Sequence, residues 1–150
     1  MNFTFNWLKE FVAITIVPEK LAELLSMAGL EVESLTPLSE PETDREDWLF
    51  TIGVTPNRGD CLGIKGIARE VAALTGESIK PAPVASPAKA HEIAKRVNVS
   101  IQDSRLCARY SARIVEGIRI TASPAWLRFR LEACGIRAIN NVVDTTNYVM

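Results

Sequence analysis

Apolar residues fall in two rhythms along this chain, and the rhythms divide it into elements. Leu21, Leu24, Leu25 and Ala28 stand at i, i+3, i+4 and i+7, the spacing of one buried helix face. Pro18 suits the first helical position, where its missing N–H costs nothing, and Gly29 suits the stop. A helix over 18–28 is predicted. Ahead of it, Asn6 to Phe11 reads as a short helix capped by Asn6, with Trp7, Leu8 and Phe11 apolar. Behind it, Leu30 to Leu35 alternates with period two and reads as a half-buried strand.

Ser39 to Asp47 is acidic, without periodic apolar positions, and is expected to be a loop. Trp48 to Thr55 is rich in aromatic and β-branched residues and reads as a strand ending in the turn composition Pro56-Asn57-Arg58-Gly59-Asp60. Asn57, Arg58 and Asp60 are read as turn and cap residues, because side-chain bonds to backbone explain them without a ligand. Asp60 is placed as the N-cap of a helix carrying Ile64, Ile67, Ala68, Val71 and Leu74 and closed by Gly76. Residues 77–95, with Pro81, Pro83 and Pro87 among alanines and serines, read as a linker. Strands are expected over 97–102 and 108–118. A helix is expected after Ser123-Pro124, with Leu127, Leu131 and Cys134 on its buried stripe. Residues 140–150 suit strand or helix; Asn140 or Asn141 as cap favours helix.

Composition narrows the class. The hydrophobic share is 47% and the charged share 23%, ordinary globular usage. With 17 Lys and Arg against 18 Asp and Glu the net charge is −1, so a broad polyanion-binding surface is not expected. Apolar runs are far shorter than the roughly 20 residues of a membrane span, and the N-terminus lacks the pattern of a secretory signal. The 3 cysteines, Cys61, Cys107 and Cys134, form neither a disulfide framework nor a zinc pattern. A cytoplasmic protein without a membrane partner is the expectation.

Candidate chemistry is sparse. The single histidine, His91, lies in the proline-rich stretch, so a histidine-based triad or metal site has little to build on. The glycines between Gly53 and Gly66 lack phosphate-loop spacing. Cys61 sits near a helix start beside Arg58, where a thiol can be activated, yet without a histidine it reads as a small buried residue. Arg105, Arg109, Arg113, Arg128, Arg130 and Arg137 are the one cationic concentration that could meet a phosphate backbone, and they are read as a solvated face.

The run Thr51-Ile52-Gly53-Val54-Thr55-Pro56-Asn57-Arg58-Gly59-Asp60-Cys61-Leu62-Gly63-Ile64-Lys65-Gly66-Ile67-Ala68-Arg69-Glu70-Val71 is more specific. It resembles the first structural domain of the beta subunit of bacterial phenylalanyl-tRNA synthetases. Trp7-Leu8 and Met27 to Glu33 before it agree in order. So do Arg109-Tyr110, Cys134-Gly135-Ile136-Arg137 and Val142 to Val149 after it.

The resemblance implies an α+β chain. Residues 1–76 would form a small helical and β first domain of winged, DNA-binding-like architecture, 77–95 a linker, and 96–150 the start of an α+β editing domain. The family's inserted OB-type tRNA-binding domain is replaced by the loop 39–47, and most of the editing domain is missing. Arg137 and Asn147 match positions near the editing pocket, where mischarged tyrosine is removed from the phenylalanine tRNA. No catalytic residue and no metal ligand is assigned. The implied partners are the alpha subunit, in a heterotetramer, and tRNA through the whole enzyme. ATP and Mg2+ would serve the whole ligase, with neither expected on this chain, which alone is expected to be inactive. The alternative is a non-catalytic interaction or scaffolding module derived from that subunit.

Overall fold

Phe3 lies opposite Phe50 across a strand pair, their rings stacked with centroids 5.2 Å apart. Both are fully buried. The computed structural model describes residues 1–40, 44–81 and 96–150. Its order is β1 (Asn2–Thr4), α1 (Phe5–Leu8), α2 (Pro18–Met27), β2 (Glu31–Glu40), β3 (Arg45–Gly53), a 3-10 turn (Gly59–Leu62), α3 (Ile64–Thr75), α4 (Ala125–Ala133) and α5 (Asn141–Val149). The fold is mixed α+β, with one three-stranded antiparallel sheet in the order β1-β3-β2. Met1–Ala82 and Ile120–Met150 make one compact unit, and Pro83–Arg119 another.

In the first unit Phe3, Leu8, Val12, Leu21, Leu25, Leu30, Phe50, Ile52, Ile67 and Val71 make a single core. Each fully buried Leu, Ile or Phe side chain stabilises the fold by roughly 1.5–3 kcal/mol, so this cluster dominates. Leu21 and Leu25 are the buried face expected of α2. At its end Gly29 takes φ 88°, and the Leu30 N–H donates to Leu25 O at 2.9 Å, which brings Leu30 into the core.

Several elements differ from the sequence expectation for one reason, which is that their partners are remote. The N-terminal segment makes strand β1, unpredicted because three residues carry no period; β3 supplies its ladder. Helix α1 starts at Phe5, capped by Thr4, whose hydroxyl accepts from Trp7 N. Asn6, expected as the cap, lies inside it and donates its N–H to the buried Asp47 of β3 at 2.8 Å. The acidic stretch 39–47 is largely strand: Ser39 and Glu40 pair with Glu46 and Arg45. Ladder hydrogen bonds hold it extended without an apolar pattern. Residues 41–43 lie outside the described residues.

The proline-rich stretch begins tied down, with Ala13 N donating to Ser78 O and Lys80 N to Phe11 O. Its part at 82–95, with His91, lies outside the described residues. The strands expected over 97–102 and 108–118 are absent among the described residues. An alternating segment becomes a strand only when a neighbour takes up its backbone groups. Among the described residues none does so, and Val99, Tyr110 and Val115 are exposed.

Helices α4 and α5 appear where expected, α5 capped by Asn140, whose Oδ1 accepts from Val142 N and Val143 N. Leu127 and Leu131 are buried. Between the helices stands Asp144, fully buried, accepting from Ser123 Oγ at 2.5 Å and from Ile139 N at 2.8 Å. The hydrogen bond from Ser123 lowers its pKa from 3.8.

Two outcomes are expected. A Cβ on Gly66 would stand 1.7 Å from Asp60 O. Gly66→Ala therefore forces the 3-10 turn off α3 and should cost about 3 kcal/mol, read from urea midpoints; an unchanged midpoint would refute the close approach. Asp144 has a lower pKa folded than unfolded, so its ionised form adds stability above the unfolded value, and that contribution fades as pH falls below about 4. Asp144→Asn should lower Tm by several degrees at pH 7, with the gap to wild type narrowing toward pH 3. A gap independent of pH would show that the charge is not what matters.

Candidate functional site

The segment between β3 and α3 brings Arg58, Asp60 and Cys61 together with Glu70 of α3. A turn closed by Arg58 N donating to Thr55 O holds Pro56 and the exposed Asn57. Arg58 then points back over the 3-10 turn. Its Nε and Nη2 donate to the two Asp60 carboxylate oxygens at 3.1 and 3.0 Å, and Nη2 lies 2.8 Å from Glu70 Oε1 on α3. The same nitrogen lies 3.0 Å from Cys61 Sγ. Gly63 precedes α3 without a side-chain cap, and the Asp60 carboxylate is turned to Arg58.

Asp60, Cys61 and Glu70 bring their ligand-type atoms within 4.8 Å of one another. They are also the three side chains that Arg58 contacts, so a guanidinium already supplies the positive charge there. Its hydrogen bonds lower the Asp60 pKa to about 2 and raise that of Arg58. Burial, and then Asp60, push the Cys61 thiol up, away from a reactive thiolate. Gly66 lets the turn sit on the helix backbone. The cluster suits neither Mg2+ nor nucleotide phosphate, because a fixed cation occupies its centre and its acceptors would repel a phosphate.

A second cluster joins α1, α4 and α5. Arg130 sits over the rings of Trp7 and Trp126, its Cζ 5.7 and 5.3 Å from their centroids. Tyr148 stacks on Trp7 at 5.1 Å and meets Trp126 edge-on at 5.5 Å. Arg130 Nη1 donates to Glu10 Oε2 at 3.1 Å and to Tyr148 Oη at 2.9 Å, and Nη2 pairs with Glu10 Oε1. Burial alone would lower the Arg130 pKa, but Glu10 and Tyr148 outweigh it and the value is raised. Sequence reasoning grouped Arg130 with the solvated arginines. The missed signal is its position: 127, 130, 131 and 134 are i, i+3, i+4 and i+7, so Arg130 fills a slot of the buried stripe. Cys134 in the same stripe donates to Asn2 O at 3.2 Å, and burial pushes its thiol up to about 11.

Arg137 is exposed in the connection between α4 and α5, and Asn147 is half-buried in the last turn of α5. Among the described residues neither side chain has a hydrogen-bond partner, and no bond joins them. Both are unused by the fold. Helix α5 is turned inside out: its polar Asp144 is buried, while Val142, Val143, Val149 and Met150 are exposed. Among the described residues no helix is long and apolar enough to cross a membrane.

The B3/4 domain family matches residues 106–150, which carry α4 and α5. Over 117 residues the chain is 50% identical to the phenylalanine–tRNA ligase beta subunit of Geobacter metallireducens, taking in 76% of this chain and 15% of that subunit. The subunit of Anaeromyxobacter dehalogenans is 52% identical over 118 residues, 77% of this chain and 14% of that one. That of Rhodopirellula baltica is 38% identical over 150 residues, 100% of this chain and 21% of the subunit. The chain spans about a fifth or less of the relatives it matches. The chain is homologous to beta subunits of phenylalanine–tRNA ligase, and to that of Rhodopirellula baltica along all 150 of its residues.

Proposed function

We propose that the chain is the N-terminal part of such a beta subunit, contributing to assembly of the ligase with its alpha subunit and carrying the start of the tRNA-editing domain. The match to the Rhodopirellula baltica subunit along all 150 residues carries this reading. The B3/4 match supports the editing assignment. In domain terms, 1–76 would be the first domain, 77–95 the linker and 96–150 the editing segment, α4 and α5 of which lie in the same compact unit as 1–76.

Within the segment, Arg137 and Asn147 are the residues assigned to the editing pocket. A guanidinium can hold a terminal phosphate or a carbonyl, and an amide can orient an aminoacyl group. Both side chains have no partner within the described structure, as expected of groups reserved for a ligand. ATP and Mg2+ belong, on this reading, to the synthetic site of the whole enzyme, since the cluster around Arg58 does not fit them. The apolar outer face of α5 would be covered by the remainder of the subunit. Asn57, Arg58 and Asp60 are assigned to holding the turn.

A chimera tests the reading. The chain, replacing the matching fifth of the Rhodopirellula baltica beta subunit and expressed with that organism's alpha subunit, is expected to assemble and charge tRNA with phenylalanine. Arg137→Ala or Asn147→Ala should slow deacylation of tyrosyl-tRNA about tenfold and leave charging unchanged. The 150-residue chain alone should show neither ATP–pyrophosphate exchange nor deacylation. Failure of the chimera to assemble would refute the subunit reading, and unchanged deacylation in both variants would refute the pocket assignment.

A further inference from the structure

The two ends of α5 are held in different ways. Its first turn is fixed by the Asn140 cap and by Asp144, which binds Ser123 and the Ile139 amide. Its last turn exposes Val149 and Met150, and Tyr148 is the residue there with side-chain contacts to the rest of the unit. That ring is packed by Trp7 and Trp126, and its hydroxyl takes the Arg130 Nη1 hydrogen bond. The same Nη1 reaches Glu10, just after α1, so one guanidinium spans the N-terminal segment and the end of α5. Its side chain is only 16% exposed, which strengthens these bonds.

Asn147 immediately precedes Tyr148 on this turn. A helix turns as a rigid body, so any roll that moves Tyr148 carries Asn147 with it. We propose that Arg130 is a positioning residue: through Tyr148 it sets the pose of Asn147, and through Glu10 it ties that pose to the N-terminal unit. The significance of the pose rests on the reading of Asn147 as a pocket residue; the linkage itself does not. Lysine cannot replace Arg130, since a single ammonium lacks the planar fork that serves Glu10 and Tyr148 together.

The test uses two variants of the full chain. Tyr148→Phe keeps both ring contacts and deletes only the hydroxyl, and Arg130→Lys keeps the charge and loses the fork. Amide exchange should speed up about two- to tenfold over 146–150, the worth of one net hydrogen bond. Exchange in α2, α3 and the sheet should be unchanged, and the Asn147 side-chain amide resonance should shift in both variants. Unchanged exchange at 146–150, an unmoved Asn147 resonance, or equal acceleration in every element would overturn the proposal, the last because it would mark Arg130 as a contributor to global stability only. Failure of the chimera to assemble would refute the subunit reading and leave this result intact, so the two failures are distinguishable.

Discussion

The stacking of Phe3 on Phe50 joins the start of the chain to its middle, and most of the first unit is built against that join. Because β1 pairs with β3, Thr4 is placed to cap α1, and Asp47 of β3 accepts from the Asn6 amide of α1. The same short strand offers its Asn2 carbonyl to Cys134 of α4. A three-residue strand would not persist alone; it persists because Phe3 on one of its faces and Thr4 on the other are both enclosed.

Charge is used inside this fold as a fastener. Arg58 neutralises Asp60 and Glu70 and lies against the Cys61 sulfur, which turns an apparent metal constellation into a clamp between the 3-10 turn and α3. Arg130 does the same between α1, α4 and α5, with aromatic faces in place of a second carboxylate. In both places the arginine fork satisfies several acceptors at once, which is why these clusters hold protein together and leave no vacancy for a ligand. Arg137 and Asn147, by contrast, make no side-chain hydrogen bond among the described residues. They sit in the stretch that matches the B3/4 domain, beside a helix whose apolar side faces outward.

An apolar exterior on α5 with a buried aspartate on its inner side reverses the usual arrangement. Asp144 is tolerated there because Ser123 and the Ile139 amide satisfy its oxygens. Val142, Val143 and Val149 are left outside, an apolar surface on α5.

The helices α2, α3, α4 and α5 were legible in the sequence, because 3.6-residue periodicity, caps and glycine stops are local properties. So was the kinship carried by the run from Thr51 to Val71. The buried places of Leu21, Leu25, Ile67 and Val71 followed from spacing alone. What tertiary structure decided was each feature whose partner lies far along the chain: strand β1, the bond from the Asn6 N–H of α1 to Asp47, the strand character of the acidic hairpin, the lack of strand pairing among the described residues at 97–102 and 108–118, and the inward turn of Arg130. Hydrogen bonds to a remote strand, or burial under a remote helix, leave no periodic mark at the residue that receives them. Local pattern therefore tells which segments can form an element, and only the assembled chain tells which of them finds a neighbour.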